Sequence, residues 1–428
     1  MSRTFRFLLS ALLVTGIARA EGVGDRDTQP SSATRLRGTS SLIPMPDGGL
    51  LSLGGSSLRI LPQGAKRWET LHQVPKDNLY RVSVNDAGGV LAAWESEPVI
   101  HYLLPRSKRH VTLPRPSVPP PEISGFGLQY LAFATNGRDA LIRMEGSTPH
   151  RTGPRRGSRR VYMVYRVPLD GTGAPELLYT VDGAQLVQMG PRVAAYLIPT
   201  VLGPVCDAHV FCEFSSLITY ELTDTGVTQK TLLTQAQVRM AGARRVAGSD
   251  DDRLVLQIET SGTRHERGLL TWHRGDAKAD YRLLPGRSDN ANRLMVMKSG
   301  ALVELVKLEE DALEIRHTLP DGRQTTTRLR APDDPDIVDS DPHGIGERGD
   351  GTLWAHWGDY VLLFPPGTPP RAYGIASLLG RRDDWAGVAL YVPEPEALWI
   401  GVEIGAGRDF VRLPFTQLEK GAKPWPTE

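Results

Sequence analysis

The residues best placed for chemistry in this sequence are arginines within one short stretch, residues 146–160. The stretch also holds His150 and contains no acidic residue; its arginines are Arg151, Arg155, Arg156, Arg159 and Arg160. A guanidinium presents a planar set of donors that matches phosphate, sulfate and carboxylate groups. The stretch is therefore predicted to be a docking loop for a protein or for an anionic glycan or lipid surface. The alternative is a solvated loop without a partner.

A second candidate is an acidic segment with part of the spacing of a calcium loop. Its carboxylates stand at positions 1, 3, 9 and 12 of such a loop: Asp339, Asp341, Glu347 and Asp350. Gly344 occupies position 6, where a calcium loop turns sharply. Three features argue against a Ca²⁺ site. His343 stands where a calcium loop has an oxygen ligand, and no helices are predicted on either side of the segment. A strand over 343–347, which the repeat pattern also predicts, would exclude the loop. The alternative is an acidic connection without metal, and no other cofactor is expected.

The two cysteines, Cys206 and Cys212, are the only ones in the chain. In an oxidising compartment such a pair usually forms a disulfide. A metal site with His209 is the alternative, but two cysteines and one histidine at this spacing match no standard zinc pattern.

The N-terminus has the pattern of a secretory signal. Arg3 and Arg6 precede an apolar run over 7–18, and small residues flank Arg19, so cleavage is predicted after Ala20. The run is too short to span a bilayer, which needs roughly 20 residues. The chain is therefore expected to be exported to the periplasm or the extracellular space, without a transmembrane segment. The alternative is an uncleaved anchor.

Composition limits the classes of partner. The 428 residues include 50 lysines and arginines against 49 aspartates and glutamates, a formal net charge of +1. This balance argues against a nucleic-acid partner, which usually selects a strongly basic chain. A monomer is expected.

The elements that must position these residues are predicted to be strands. Helical periodicity is almost absent, and segments of 5–8 apolar residues alternate with clusters of Gly, Pro, Asp and Asn. Turn sequences recur about every 50 residues, as at Asp47-Gly48-Gly49 and Asp86-Ala87-Gly88-Gly89. Four strands per repeat of this length are typical of a β-propeller blade. The sequence predicts an all-β propeller of eight blades, with seven blades or a pair of β-sandwiches as alternatives.

The domain boundaries follow from this pattern. Residues 1–20 are the predicted signal peptide, 21–31 a flexible segment, 32–415 the propeller and 416–428 a C-terminal tail. The last repeat lacks a strand, and the extended stretch Ser32–Arg37 is expected to supply it as the outer strand. Such pairing would close the ring and remove two exposed sheet edges.

The repeat pattern resembles that of the bacterial secreted β-propeller proteins as a class. Gly349-Asp350-Gly351-Thr352-Leu353-Trp354 is similar to the blade turn of many propellers. The sequence has no Trp-Asp blade ending, no sialidase box and no tryptophan motif of the quinone enzymes. The resemblance therefore implies a fold and does not select a function.

Loop placement gives the functional hypothesis. Insertions at 146–160, 199–214 and 261–268 fall in three successive predicted blades and on the same face of the propeller. The last insertion adds Arg264, His265 and Arg267 to the docking surface. Because loops on a rigid scaffold often carry function, the chain is predicted to bind a partner through this face without catalysis. The alternative is a hydrolase or lyase acting on an extracellular polymer, with candidate residues Arg81, Gln129, Gln188, Arg239, His343 and Glu347.

Overall fold

The computed structural model describes most of the chain as antiparallel strands. The described residues are 34–36, 41–54, 56–63, 65, 67–74, 79–134, 136–152, 155–200, 213–261, 266–284, 293–309, 312–330, 344–348, 350–358, 360–374, 388–393, 397–404 and 407–425. The predicted signal peptide, the segment 21–31, and Cys206 and Cys212 lie outside these residues.

The strands pair mainly with their neighbours along the chain, in units of four. Strand β1 is Thr34–Leu36. The first unit is β2 Ser41–Pro44, β3 Leu50–Gly54, β4 Ser57–Leu61 and β5 Glu69–Gln73. The second is β6 Leu79–Val84, β7 Val90–Trp94, β8 Val99–Leu104 and β9 Arg109–Pro114, with a 3₁₀ turn at Pro105–Ser107. The third is β10 Ser124–Phe133, β11 Asp139–Thr152, β12 Arg155–Pro168 and β13 Glu176–Asp182. The fourth is β14 Gln185–Met189, β15 Val193–Pro199, β16 Phe214–Thr223 and β17 Gly226–Thr234.

The second half of the chain repeats the arrangement. The fifth unit is β18 Met240–Arg245, β19 Arg253–Thr260, β20 Arg267–His273 and β21 Asp280–Leu284. The sixth is β22 Arg293–Val296, β23 Leu302–Glu309, β24 Ala312–Thr318 and β25 Gln324–Arg330. The seventh is β26 Ile345–Glu347, β27 Leu353–Trp357, β28 Tyr360–Phe364 and β29 Arg371–Gly374. The eighth is β30 Val388–Pro393, β31 Ala397–Ile404 and β32 Gly407–Pro414, completed by β1.

The turn between the first two strands of a unit has a recurrent geometry. In the first unit Met45 N donates to Gly49 O at 2.8 Å, and Gly48 N donates to Met45 O at 2.9 Å. Gly48 has a φ of 80°, a backbone conformation that glycine adopts without steric cost. The equivalent turn of the second unit has Gly88 at a φ of 79°. The glycines that mark the repeat in the sequence thus occur where the turn requires a positive φ.

Burial within a unit follows the position of each strand. All five residues of β7 are buried, whereas β25 is mainly exposed. A middle strand is covered on both faces because a neighbouring unit packs on each side of its sheet. Apolar clusters occur at the contact between each unit and the next along the chain. First strands of neighbouring units also contact one another, as β6 does β10.

The two ends of the chain close the ring. Strand β1 pairs with β32 in antiparallel register, from Thr34 opposite Arg412 to Leu36 opposite Phe410. Leu42 and Leu50 of the first unit pack in one cluster with Trp399 and Phe410 of the eighth. The prediction that Ser32–Arg37 supplies the outer strand of the last unit is therefore confirmed over residues 34–36.

The all-β propeller prediction is confirmed. A bridge between Phe214 and Met240 joins the fourth and fifth units into one eight-stranded sheet. The described residues therefore form seven separate sheets but eight four-stranded units. The number of blades, eight or seven, stays a prediction.

The predicted C-terminal tail needs correction over its described part. Phe415–Gly421 forms a helix, α1, and Lys423–Pro424 forms a strand, β33, that pairs with β29. Phe415, Leu418 and Ala422 pack in the cluster between the seventh and eighth units. Burial of these apolar side chains gives the segment a stable position, which its short polar sequence did not indicate. No helix among the described residues is long and apolar enough to cross a membrane.

Candidate functional site

The arginine-rich stretch is a β-hairpin, which corrects its prediction as a loop. Strands β11 and β12 stay in register from Asp139 opposite Pro168 to Thr152 opposite Arg155. The neighbouring strand β10 pairs with β11 no further than Ser147, and β13 pairs with β12 no further than Val161. Residues 148–152 and 155–160 therefore extend beyond the sheet as a two-stranded ribbon. We call this ribbon the arginine hairpin.

Two of the five arginines anchor the base of the arginine hairpin. Arg159 forms an ion pair with Asp182 of β13. Arg160 Nε lies 2.8 Å from Glu145 Oε1 of β11. An isolated two-stranded hairpin is marginally stable in water, so these pairs help to hold the ribbon on the third unit.

The other three arginines lie at the tip. Arg151 is directly opposite Arg156 in the register, and Arg155 is opposite Thr152. Like charges at directly opposed positions of an antiparallel pair are destabilising. The register therefore places two residues of like charge opposite each other at the tip, in a stretch of sequence without an acidic residue.

Arg267 is not part of a docking surface, and its placement on an exposed loop was wrong. It is the first residue of β20 and is completely buried. Arg267 forms an ion pair with Glu304 of the sixth unit, and Glu304 Oε2 also lies 3.7 Å from Arg316 Nη1. Arg316 Nε and Arg328 Nε donate to the two oxygens of Glu314, at 2.5 and 3.0 Å. Arg267 thus belongs to a charged network at the contact between units. Arg264 and His265 lie outside the described residues.

The calcium hypothesis does not agree with the arrangement around Glu347. Residues 345–347 form the strand β26, the element that excludes a loop there. Glu347 Oε2 accepts a hydrogen bond from Lys298 N at 2.8 Å. Asp350 Oδ1 accepts from Thr352 N at 2.9 Å, and this bond is the main cause of a lowered Asp350 pKa. Asp339 and Asp341 lie outside the described residues.

Among the candidate residues of the hydrolase or lyase alternative, Arg81 Nε donates to Gln129 O at 2.8 Å and thereby joins the second and third units. Gln188 Nε2 lies 3.5 Å from Asp251 Oδ1, whose other oxygen accepts from Arg192 N at 2.7 Å. Burial raises the pKa of Asp251, against the lowering effect of these hydrogen bonds. The remaining candidates are Arg239, which is exposed, Glu347, which lies in β26, and His343, which lies outside the described residues.

A group of histidines that no sequence motif marks lies between the first and second units. His72 is on β5, His101 on β8 and His110 on β9. One ring nitrogen from each histidine lies within 4.8 Å of those of the other two. The ring centroids are 4.3 Å apart for His72 and His101, and 5.0 Å apart for His101 and His110. We call this group the three-histidine cluster.

Both nitrogens of the central ring have hydrogen-bonding neighbours. His101 Nε2 lies 2.5 Å from Glu97 Oε2, and His101 Nδ1 lies 2.8 Å from His110 Nε2. His101 is buried, His72 is half-buried and His110 is exposed. The indole of Trp94 is completely buried and lies edge-on to His101, with centroids 5.1 Å apart. The cluster thus has a protein-covered side and a solvent side.

The environment favours neutral imidazoles at the edges of the cluster. Burial lowers the pKa of His72, and the charges of His101 and His110 lower it further. Burial and then His101 lower the pKa of His110. In both cases the Glu97 carboxylate opposes the shift. A neutral imidazole has a nitrogen lone pair that can accept a proton or bind a metal ion.

The sequence carries only a weak signal of this cluster. His101 and His110 face the first unit from adjacent strands of one hairpin, where His110 is opposite Leu103 and His101 is opposite Thr112. Their spacing of nine residues matches no metal motif. His72 belongs to another unit, so only the packing of one unit on the next brings it close.

Comparisons with known proteins add no function. A scan of protein families finds no match, and no curated protein matches the chain. Solved β-propeller structures do match it over most of its length. YCF48 bound to D1 peptide is 13% identical, with a TM-score of 0.40, over 91% of this chain and 96% of that one. Oligogalacturonate lyase in complex with manganese is 12% identical, with a TM-score of 0.44, over 91% and 92%.

A third similar structure is a catalytically inactive virginiamycin B lyase from Staphylococcus aureus with quinupristin. It is 10% identical, with a TM-score of 0.39, over 89% of this chain and 99% of that one. Proteins this distant are alike in fold alone.

Proposed function

We propose that this chain is an exported β-propeller that binds a polyanionic partner through the arginine hairpin, without catalysis. The observation that carries the proposal is the tip of the hairpin, where Arg151 is opposite Arg156 and Arg155 is one position away. Two guanidinium groups on opposed strands repel each other. A sulfate, phosphate or carboxylate group between them would replace this repulsion by charge-assisted hydrogen bonds.

The division of the five arginines sharpens the proposal. Arg159 and Arg160 have acidic partners at the base of the hairpin, so their main role is to hold the ribbon. Arg151, Arg155 and Arg156 are the recognition residues. Binding should therefore have a salt dependence corresponding to about three ionic contacts, since each contact contributes separately to the slope.

The test is a binding assay at two salt concentrations. The probes are a sulfated glycan, a polyuronate, and vesicles with and without an anionic phospholipid. The wild-type protein is expected to bind at least one anionic probe, and binding should weaken at the higher salt concentration. A variant with Arg151, Arg155 and Arg156 changed to serine should lose this binding.

A matched control separates the hairpin from net charge. The control changes three exposed cations elsewhere, Arg138, Lys278 and Arg282, to serine and so removes the same charge. It should bind as the wild type does. Equal losses in the two variants would reduce the effect to non-specific charge, and full binding by the hairpin variant would overturn the proposal.

Export is a separate part of the proposal with its own test. In a host with a secretory pathway, the exported protein should begin at Glu21, and deletion of residues 1–20 should keep it in the cytoplasm. The mass of the exported protein should rise by two hydrogens on reduction if Cys206 and Cys212 form a disulfide. An exported protein that keeps residues 1–20 would contradict the predicted cleavage.

The enzyme alternative has less support in the described residues. Glu97, His101 and His110 are titratable groups in hydrogen-bond contact, as acid–base catalysis requires. However, His101 and His110 lie on the third and fourth strands of the second unit, not on the first strands that contact one another in the ring. We therefore assign the three-histidine cluster another role.

A further inference from the structure

We propose that the three-histidine cluster is a binding site for a transition-metal ion of the Zn²⁺ type, with His72, His101 and His110 as ligands. Imidazole nitrogen is a good ligand for Zn²⁺, Cu²⁺ and Ni²⁺. Zn²⁺ takes four ligands in tetrahedral geometry, and sites with three protein ligands leave the fourth position to water or to an outside group. This inference is independent of the arginine hairpin.

The carboxylate of Glu97 prepares the central ligand. With Glu97 ionised, the contact at His101 Nε2 requires that nitrogen to carry the ring proton and donate it. In that tautomer the lone pair of the ring is on Nδ1, which lies 2.8 Å from His110 Nε2. A carboxylate that accepts from the far nitrogen of a metal-bound histidine is a common support of metal sites, because it fixes the tautomer and makes the ligand more basic.

The contact between His101 and His110 marks the place of the ion. In the tautomer that the Glu97 carboxylate favours, His101 Nδ1 is an acceptor, and His110 Nε2 then donates its proton across the 2.8 Å between them. In the metal-bound form the proton of His110 moves to its Nδ1, and both facing nitrogens coordinate the ion. The site then exchanges one hydrogen bond for two metal–ligand bonds and releases no proton from neutral rings.

The contact between His101 and His110 requires only a small adjustment to hold an ion, and the ligand nitrogen of His72 lies within 4.8 Å of theirs. Two nitrogens bound to one tetrahedral Zn²⁺, each at about 2.0–2.1 Å, lie about 3.3 Å apart. His101 Nδ1 and His110 Nε2 must therefore separate by about half an ångström from 2.8 Å. His110 is the exposed member of the cluster and can move without displacing core residues. Its solvent side also provides the fourth coordination position.

The position of the ligands predicts a structural effect. His72 belongs to the first unit, and His101 and His110 belong to the second. An ion held by all three would connect the outer strand β5 to β8 and β9. Because a ligand that binds only the folded state raises stability, Zn²⁺ should raise the Tm of the protein.

The test uses the purified full chain without a polyhistidine tag, treated with chelator and dialysed. Equilibrium dialysis against Zn²⁺ should give one ion per chain, and Zn²⁺ should raise Tm. With Co²⁺ as probe, visible absorption bands of a tetrahedral site should appear. His110→Ala and His72→Gln should each abolish the stoichiometric uptake and the Tm shift. Glu97→Gln should weaken the affinity by about 10- to 100-fold.

A histidine outside the cluster serves as the control for binding to exposed imidazoles in general. His273 is exposed and lies outside the cluster, so His273→Ala should bind Zn²⁺ as the wild type does. Circular dichroism confirms folding of each variant, and His110 is the more decisive position because its exposed side chain can be removed with little loss of packing. Absence of stoichiometric uptake by the wild type, or equal uptake by the His110→Ala and wild-type proteins, would overturn the metal site and leave a hydrogen-bonded histidine group.

Discussion

Replacing Arg267 by methionine tests whether the charged network holds the fifth and sixth units together. Arg267 is completely buried, and the side chain of its partner Glu304 is only 8% exposed. Arg267→Met keeps most of the volume but leaves the Glu304 carboxylate without its main partner. Loss of one member of a buried ion pair typically costs about 3–5 kcal/mol. Because Arg316 still lies 3.7 Å from Glu304, we expect the lower end, about 3 kcal/mol.

The corresponding change in Tm follows from chain length. The entropy of unfolding is about 2.1 cal/mol/K per residue, which gives about 0.9 kcal/mol/K for the 428 residues of the chain. A loss of about 3 kcal/mol should therefore lower Tm by about 3–4 °C. Urea unfolding followed by tryptophan fluorescence measures the free energy, and calorimetry measures Tm.

A double variant distinguishes the ion pair from packing. Arg267→Met combined with Glu304→Leu removes both charges, and such replacements of buried pairs are often neutral or stabilising. The double variant should therefore be within about 1 kcal/mol of the wild type. As a surface control, Arg323→Met breaks an exposed pair with Asp321 and should cost less than about 1 kcal/mol. If the double variant were as unstable as Arg267→Met alone, the loss would come from packing and the reasoning would be refuted.

Three further predictions concern acid stability, ring closure and a close backbone approach. Burial raises the pKa of Glu314, but its hydrogen bonds from Arg316 and Arg328 outweigh this effect and lower the pKa overall. The stabilisation that Glu314 contributes should therefore be present above the pKa of the unfolded state and be lost as the pH falls through the lower pKa of the folded state. Glu314→Gln should flatten this loss in acid unfolding curves, and an unchanged curve would contradict it. Deletion of residues 1–37 removes β1 and exposes the edge of β32, so Tm should fall and size-exclusion chromatography should show association; an unchanged Tm would argue against closure by this strand. A Cβ at Gly190 would lie 1.9 Å from Asp251 Oδ1, so Gly190→Ala should cost about 1–3 kcal/mol, whereas Gly127→Ala, whose nearest atom lies at 4.0 Å, should be tolerated.

The repeat could be predicted because each unit obeys local rules. Gly48 and Gly88 lie in turns that require positive φ, and the strands that follow them are apolar because both of their faces are covered. Ring closure could be predicted for a similar reason, since a last unit with three strands leaves an exposed edge that an extended segment of the same chain can pair.

The positions of several candidate functional residues could not be predicted, because they depend on contacts between residues of different units, which are far apart in the sequence. Arg267 lies near the end of the polar stretch 261–268, and polar stretches usually form loops. In the structure it is buried instead, because Glu304 of the next unit forms an ion pair with it. The arginine hairpin was predicted as a loop because its composition is polar, but its strands stay paired beyond the sheet. His72, His101 and His110 are separated in sequence and meet only where the first unit packs on the second.

Polar groups between units occur at several places in this ring, and they differ in what they can still bind. Asp251 of the fifth unit accepts from Arg192 N of the fourth, and Glu304 of the sixth pairs with Arg267 of the fifth. In both contacts a carboxylate accepts hydrogen bonds or an ion pair from groups of the same chain, so its oxygens already have partners within the fold. In the three-histidine cluster the contact joins two imidazole nitrogens, His101 Nδ1 and His110 Nε2, and both are of a type that can coordinate a metal ion. Among the contacts between units that the described residues make, this one combines several ligand atoms with a solvent side, and it is therefore the place where an added ion would strengthen the ring.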